Sequence, residues 1–436
     1  MPPPPPEQAV LPAGGLGLRP VAIPKGRFWR QLLAFSGPGY LVAVGYMDPG
    51  NWATGLAGGS SYGYRLLSVI VVANVAAMFL QSLAAKLGLV TGLDLAQACR
   101  RSYSPRSTVL LWLLCELAIV ACDLAELLGA AVALKLLFGL PLLWGVSLLG
   151  FQVLLLLALQ RRSIRPLEIL VFGLTLLVAL CCAIDLILAR PAAGAIVRGL
   201  VPGVDIVTDR AMLYVAIGIV GATVMPHNLY LHSALVKSRC HDRSDAGVRG
   251  ALRFHRIDTV VALTGAAFVN AAILILAASI FHRHGAGDVG IEDAYRLLSP
   301  AIGAGAASTL FGVALLASGQ NASITGTLAG QIVLEGFTDL RIPRWLRQVT
   351  ARLLAIVPAV LVIAVCGEAS TTALLILSQV VLSLQLPFAV VPLVRLTGDR
   401  RWMGRFANGP VTSLAAWGLT ITLIALNFYL LLALVQ

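Results

Sequence analysis

The chain is 436 residues long, 58% hydrophobic and 12% charged, with a mean hydropathy of +0.88. Soluble chains carry about 25% charged residues, so a water-soluble protein of this length is excluded, and many long apolar runs in series need lipid as their solvent. The formal charge of +12 does not indicate a nucleic-acid partner, because the basic residues sit in short clusters between apolar runs, the pattern that orients membrane proteins.

In chain order, residues 1–30 are expected to form a disordered cytoplasmic tail: Met1 to Pro24 is rich in Pro and Gly and lacks the basic-then-apolar order of a signal peptide. About eleven segments long enough to span a bilayer follow, near residues 31–57, 65–88, 107–137, 141–160, 166–188, 211–236, 255–282, 304–335, 346–366, 370–396 and 411–433. Alternate connections hold 23 of the 32 basic residues, beginning with Arg19, Lys25, Arg27 and Arg30 and ending with Arg395, Arg400, Arg401 and Arg405. That bias predicts a cytoplasmic N-terminus and an external C-terminus, and the compact loops suggest a bacterial inner membrane. The seven cysteines lie mostly in apolar runs without CxxC spacing, so they read as small core residues.

Two spans break the rules of an apolar helix. The first contains Gly45-Tyr46-Met47-Asp48-Pro49-Gly50-Asn51 within an apolar run. Pro49 removes an amide donor and Gly50 accepts backbone angles that a helix does not use. Unwound backbone at membrane depth survives only where it lines a cavity or is buried in protein, and Asp48 there is a functional candidate by default. The sixth span repeats the device around Gly221, Ala222, Met225 and Pro226. Paired interruptions at matching positions of two halves point to a transporter site at the bilayer midplane of an inverted repeat. The expected fold is therefore an all-α polytopic membrane protein, with residues 31–190 and 211–396 as two five-helix repeats and residues 411–433 as an extra helix. Asp48 and Asn51 offer hard oxygen donors, unwinding near Ala222 frees a carbonyl, and Met225 adds a thioether. That sulfur gives little to Ca²⁺ or Mg²⁺ and a usable bond to Mn²⁺, Fe²⁺, Co²⁺ or Cd²⁺. Taken alone, a Met in an apolar helix is core packing; its place beside Pro226 makes it a ligand candidate.

These residues resemble the natural resistance-associated macrophage protein (Nramp) family of proton-coupled manganese and iron transporters. Asp48-Pro49-Gly50-Asn51 resembles its first motif, Met225-Pro226-His227-Asn228 its second, and Ala317 through Gln331 its long transport signature. The resemblance covers residues 33 to 433. It implies the fold of sodium-coupled amino-acid transporters and a metal held by Asp48, Asn51, Met225 and the Ala222 carbonyl. Gln379 matches a polar residue that approaches the ion, and a Gly45 carbonyl is a further candidate, where the family commonly has Ala. The methionine argues against magnesium as the main substrate.

Asp123 and Glu126, three residues apart in the third span, share one helix face. Two buried carboxylates call for a counter-charge or shared protons, and Arg352 in the ninth span is the candidate partner; a static ion-pair network is the alternative. His232 can pass protons near neutral pH, while His227 reads equally as a relay or a structural hydrogen-bonder. Resemblance to the family supports a path in which Asp48 releases a proton as metal arrives. Glu168, Asp185, Lys86 and Lys135 lie near span ends, where snorkelling is expected. No ATP-binding loop and no HExxH or GxSxG motif occurs, so the reading is a secondary carrier rather than an enzyme, with no cofactor. An amino-acid or amine carrier, a magnesium carrier and a metal-sensing receptor are the alternatives.

Overall fold

A computed structural model describes residues 21–22, 28–149, 164–240, 244–284, 287, 289–302, 305–338, 343–367 and 370–435. Apart from a parallel pair of two-residue strands, β1 (Val21–Ala22) and β2 (Arg239–Cys240), the described chain is helical. Strand β1 and the helix start at Phe28 fall inside the segment expected to be a tail, whose residues 1–20 and 23–27 lie outside the described part.

The first span is three helices, α1 (Phe28–Phe35), α2 (Pro38–Gly45) and α3 (Pro49–Tyr62). Then come α4 (Leu67–Thr91), a short α5 (Leu95–Ser102), α6 (Pro105–Phe138), α7 (142–149) and α8 (Ile164–Ala189). Two short helices, α9 (Ala193–Gly199) and α10 (Asp205–Thr208), lead to the sixth span, split into α11 (Arg210–Thr223) and α12 (Pro226–Leu235). The remainder comprises α13 (Asp245–Ile280), α14 (Ile291–Ile302), α15 (Ala307–Thr338), α16 (Arg344–Cys366), α17 (Thr371–Gly398), α18 (Arg400–Met403) and α19 (Pro410–Val435). Every expected span contains a helix, the fourth being described only over 142–149. Seven of the described helical segments are long and apolar enough to cross a membrane. The 32-residue α15 falls short in apolarity, because Ser318, Gln320, Asn321, Ser323, Thr325 and Gln331 interrupt it.

The helix boundaries follow local chemistry. Pro occupies the first position of α2, α3, α6 and α12, where its missing amide costs nothing and its φ is pre-set. Ser104, Asp209 and Ser244 cap α6, α11 and α13, and the Ser244 cap starts α13 ten residues before the apolar run expected at 255. Gly92 and Gly139 close α4 and α6 in the left-handed conformation.

The broken helices form the centre. In α11 and α12 89% of the most apolar stretch is buried, against 28% in α8 and in α19, so the latter two present their apolar faces outward to lipid. One pole of the bundle, where α2 begins, is sealed by polar contacts among its connections. Arg239, fully buried, donates to Glu168 at 2.9 Å and to the Ser36 carbonyl at 2.8 Å. Asp258 of α13 accepts from the Gly39 amide at 2.7 Å and the Ser36 hydroxyl at 3.1 Å, and Lys237 pairs with Asp94 at 2.9 Å. Glu168 and Asp185 are 1% and 2% exposed, which corrects the expectation of snorkelling: Glu168 turns inward to a buried guanidinium instead. At the opposite pole, a cavity of about 1130 Å³ opens among α3, α6, α11, α14 and α17, with Ala57, Val132, Val215 and Ile376 in its lining.

Candidate metal site

An intact helix would bond the Gly45 carbonyl to the amide of residue 49 and the Ala222 carbonyl to that of residue 226. Both positions are proline, which has no N–H. Each break therefore strips one carbonyl of its helical donor at the C-terminal end of a half-helix, where the dipole also favours a cation. The freed backbone is secured from neighbouring helices. Asn270 of α13 donates to the Tyr46 carbonyl at 2.8 Å, and the Ser318 hydroxyl of α15 bonds the Met47 carbonyl. Unwound backbone is thus satisfied by protein, as membrane depth requires.

Asp48, fully buried, caps α3: its Oδ1 accepts from the Asn51 amide at 2.8 Å and from Asn51 Nδ2 at 2.7 Å. The same Nδ2 donates to the Ala222 carbonyl at 3.1 Å. One side chain thereby ties the first break to the second. Gln379 of α17 brings Nε2 to 3.5 Å from Asp48 Oδ2, and its Oε1 has no partner among the described residues. Met225, in the bend between α11 and α12, is fully buried against Ala118, Cys122 and Leu382, and Asn228 Nδ2 lies 3.5 Å from its sulfur. Gly45, Asp48, Asn51, Ala222, Met225 and Gln379 therefore stand at one locus, with Pro49, Gly50 and Pro226 shaping it. The donor set mixes carboxylate, amide, carbonyl and thioether, and suits a divalent transition metal better than Mg²⁺. Ile376, in the cavity lining, precedes Gln379 by one helical turn, about 5 Å.

The acidic face of α6 is adjacent. A Cβ on Gly129 would overlap the Pro49 ring, which places α6 directly against the first break. Asp123 and Glu126 are 3% and 2% exposed, and both reach Gly326 of α15, where an added Cβ would lie 3.2 Å from Asp123 Oδ1 and 2.9 Å from Glu126 Oε1. Cys122 donates to Glu126 at 3.5 Å. The helix bearing Arg352 packs on α6, but that side chain lies outside the described residues. His232 is fully buried, with Nδ1 3.0 Å from Gln81 Oε1, and Gln81 Nε2 donates to the Tyr46 hydroxyl at 2.7 Å. His227, second residue of α12, is buried with Nδ1 unpartnered among the described residues. Through Gln81, His232 joins a chain that reaches Tyr46 at the first break.

Sequence reasoning gave no role to Asn270 or Gln81, and named Tyr46 and Asn228 only as members of the two breaks. Asn270 and Gln81 carried a signal, a lone amide side chain in an apolar run, but their partners are remote in sequence. Asn321 is buried in α15, where its Nδ2 contacts Thr175 at 3.1 Å.

A family profile described as natural resistance-associated macrophage protein-like (Nramp) matches residues 39–433. The divalent metal cation transporter MntH of Bradyrhizobium diazoefficiens is 55% identical over 413 residues, covering 94% of this chain and 92% of that protein. Among solved structures, a manganese transporter of Eremococcus coleocola, in complex with an aromatic bis-isothiourea compound, matches with a TM-score of 0.86 at 42% identity, over 95% of this chain and 88% of that one. Mhp1, a nucleobase-cation-symport-1 family transporter, matches with a TM-score of 0.60 at 16% identity, over 91% of this chain and 90% of that one. At that identity the likeness is one of fold alone.

Proposed function

The chain belongs to the Nramp family, and from that premise we propose that it takes up divalent transition-metal ions, Mn²⁺ and Fe²⁺ foremost with Cd²⁺ and Co²⁺ also accepted, by proton-coupled alternating access. It is a multi-pass membrane carrier and not an enzyme. The observation that carries the reading is the Asn51 amide joined to both the Asp48 carboxylate and the Ala222 carbonyl, with Met225 in the adjoining bend. Ligands from two half-helices meet there, so tilting either half opens or closes the site.

The proposed steps follow from the geometry. An ion descends the cavity, sheds water and takes Asp48, Asn51, the Ala222 and Gly45 carbonyls, Met225 and Gln379 as ligands. The Asn51 amide must turn, because its N–H now faces the two oxygens that the cation will take. A buried carboxylate needs a counter-charge, which a proton and a metal ion supply to Asp48 in alternation. The released proton passes to Asp123 and Glu126 on α6, for which Arg352 of α16, permanently charged, serves as counter-ion, with His232 and His227 as the further titratable groups along the half-helix. Orientation follows the arginine bias, with the N-terminus cytoplasmic, the C-terminus external, the cavity facing outward and the cell inner membrane as location. A negative-inside potential adds about 2.3 kcal/mol per charge per 100 mV.

Mn²⁺ uptake into proteoliposomes, at acidic and at neutral external pH, tests this reading. Uptake is expected to rise with external acidity in wild type and to vanish in Asp48→Ala. An Asp48→Ala protein that still moves Mn²⁺, or a folded wild type that moves none, overturns it.

A further inference from the structure

The oxygen ligands are not the only ones bound to an amide. Asn228, fully buried one turn beyond Met225 in α12, points its Nδ2 at the Met225 sulfur from 3.5 Å. A thioether has three torsions to wander through, and it has two lone pairs, of which one N–H occupies one. Opposite stands Gly45, the last residue of α2. A Cβ built there would run into Asn228 Nδ2 and lie 3.3 Å from its Cγ. The Asn228 amide thus fills the space that a methyl group at position 45 would take. Its Oδ1 has no partner among the described residues, a costly state for a buried carbonyl oxygen, so packing and the contact to sulfur hold the side chain in place.

We infer that Asn228 is the positioning residue for the thioether: its N–H fixes the Met225 sulfur with one lone pair turned to the ion, and Gly45 provides the room that this requires. Asn228 thereby sets the preference for soft over hard divalent ions. The inference rests on Met225 being a metal ligand. The arrangement links the two breaks, because Gly45 ends the first half-helix and Asn228 belongs to the second.

The consequence is specific to sulfur. A variant without the contact should bind Cd²⁺ about fivefold more weakly, the scale of one modest hydrogen bond, while its affinity for Ca²⁺, which makes no use of sulfur, stays the same. Asn228→Ala deletes the donor, and Asn228→Leu, close to it in size but without the N–H, is the second variant should the first fold poorly. In a Met225→Ala background, Asn228→Ala should have no further effect on Cd²⁺, and a Cd K-edge spectrum of Asn228→Ala should show a weakened Cd–S shell. The experiment is calorimetric Cd²⁺ and Ca²⁺ titration of the purified full chain, wild type and variants, with that spectrum alongside. Equal losses for Cd²⁺ and Ca²⁺, or an additive loss in the double variant, would overturn the inference as a merely structural effect. If Met225→Ala itself leaves Cd²⁺ binding unchanged, the ligand set proposed above fails first.

Discussion

Pro49 and Pro226 each withdraw the one amide that a specific carbonyl four residues earlier would have used. The ends of α2 and α11 are therefore built by subtraction, and side chains from other helices complete them. Close backbone approach is the second residue-level device. A Cβ on Gly221 would overlap the Gln379 carbonyl and come within 2.7 Å of the Ser383 amide, so α11 and α17 touch at their backbones beside the site. Gly221→Ala forces them apart, with an expected loss of about 1–3 kcal/mol of stability, the usual cost of overpacking, and roughly tenfold weaker Mn²⁺ binding as Gln379 retreats, about 1.4 kcal/mol. Thermal unfolding in detergent and calorimetric titration check this; a variant unchanged in both contradicts the contact. The two prolines, Asp48 and Asn51 were legible in the sequence because each is anomalous within its own apolar run, and Met225 only through its place beside Pro226. Asn228 was visible as part of the second motif, but its proposed role was not, since that depends on the empty space at Gly45 in another helix.

At the scale of elements, the pole where α2 begins is held by groups that sequence position alone would have sent to the membrane surface. Glu168 lies near a span end, yet it is buried against Arg239, which follows α12 and donates to the Ser36 carbonyl just before α2. Snorkelling failed as an expectation because it considers one helix and the bilayer, whereas a fully buried cation from a connection offers a partner that water does not. Removing one member of a buried pair leaves a charge without its counter-ion and costs about 3–5 kcal/mol. Arg239→Ala is expected to lose stability on that scale and to loosen α2. Replacing both residues, Arg239→Met with Glu168→Leu, should recover much of the loss. Thermal unfolding of the three proteins decides the matter, and a single variant as stable as wild type would show that the pair does not hold this pole.

For the whole molecule, the described residues place a cavity at one pole, a polar seal at the other and the paired helix breaks near the centre, which in the proposed cycle is one of its two halves. The helical, polytopic architecture was legible because lipid imposes length and apolarity on every span. Boundaries were less so: α13 starts well before its apolar run, since a serine cap and polar turns carry it beyond the apolar span. The span expected at 304–335 is α15, and its polar residues are accommodated by packing against α6 and α8.

The central claim is that a sulfur at this locus selects the ion. It is tested most directly by Mn²⁺ uptake into proteoliposomes for wild type and Met225→Ala, each with excess Ca²⁺ or Mg²⁺ as competitor. The account predicts that wild-type uptake barely responds to either competitor, while the variant, left with oxygen ligands alone, is inhibited about tenfold more strongly, a shift of about 1.4 kcal/mol. Equal inhibition of the two proteins would contradict it.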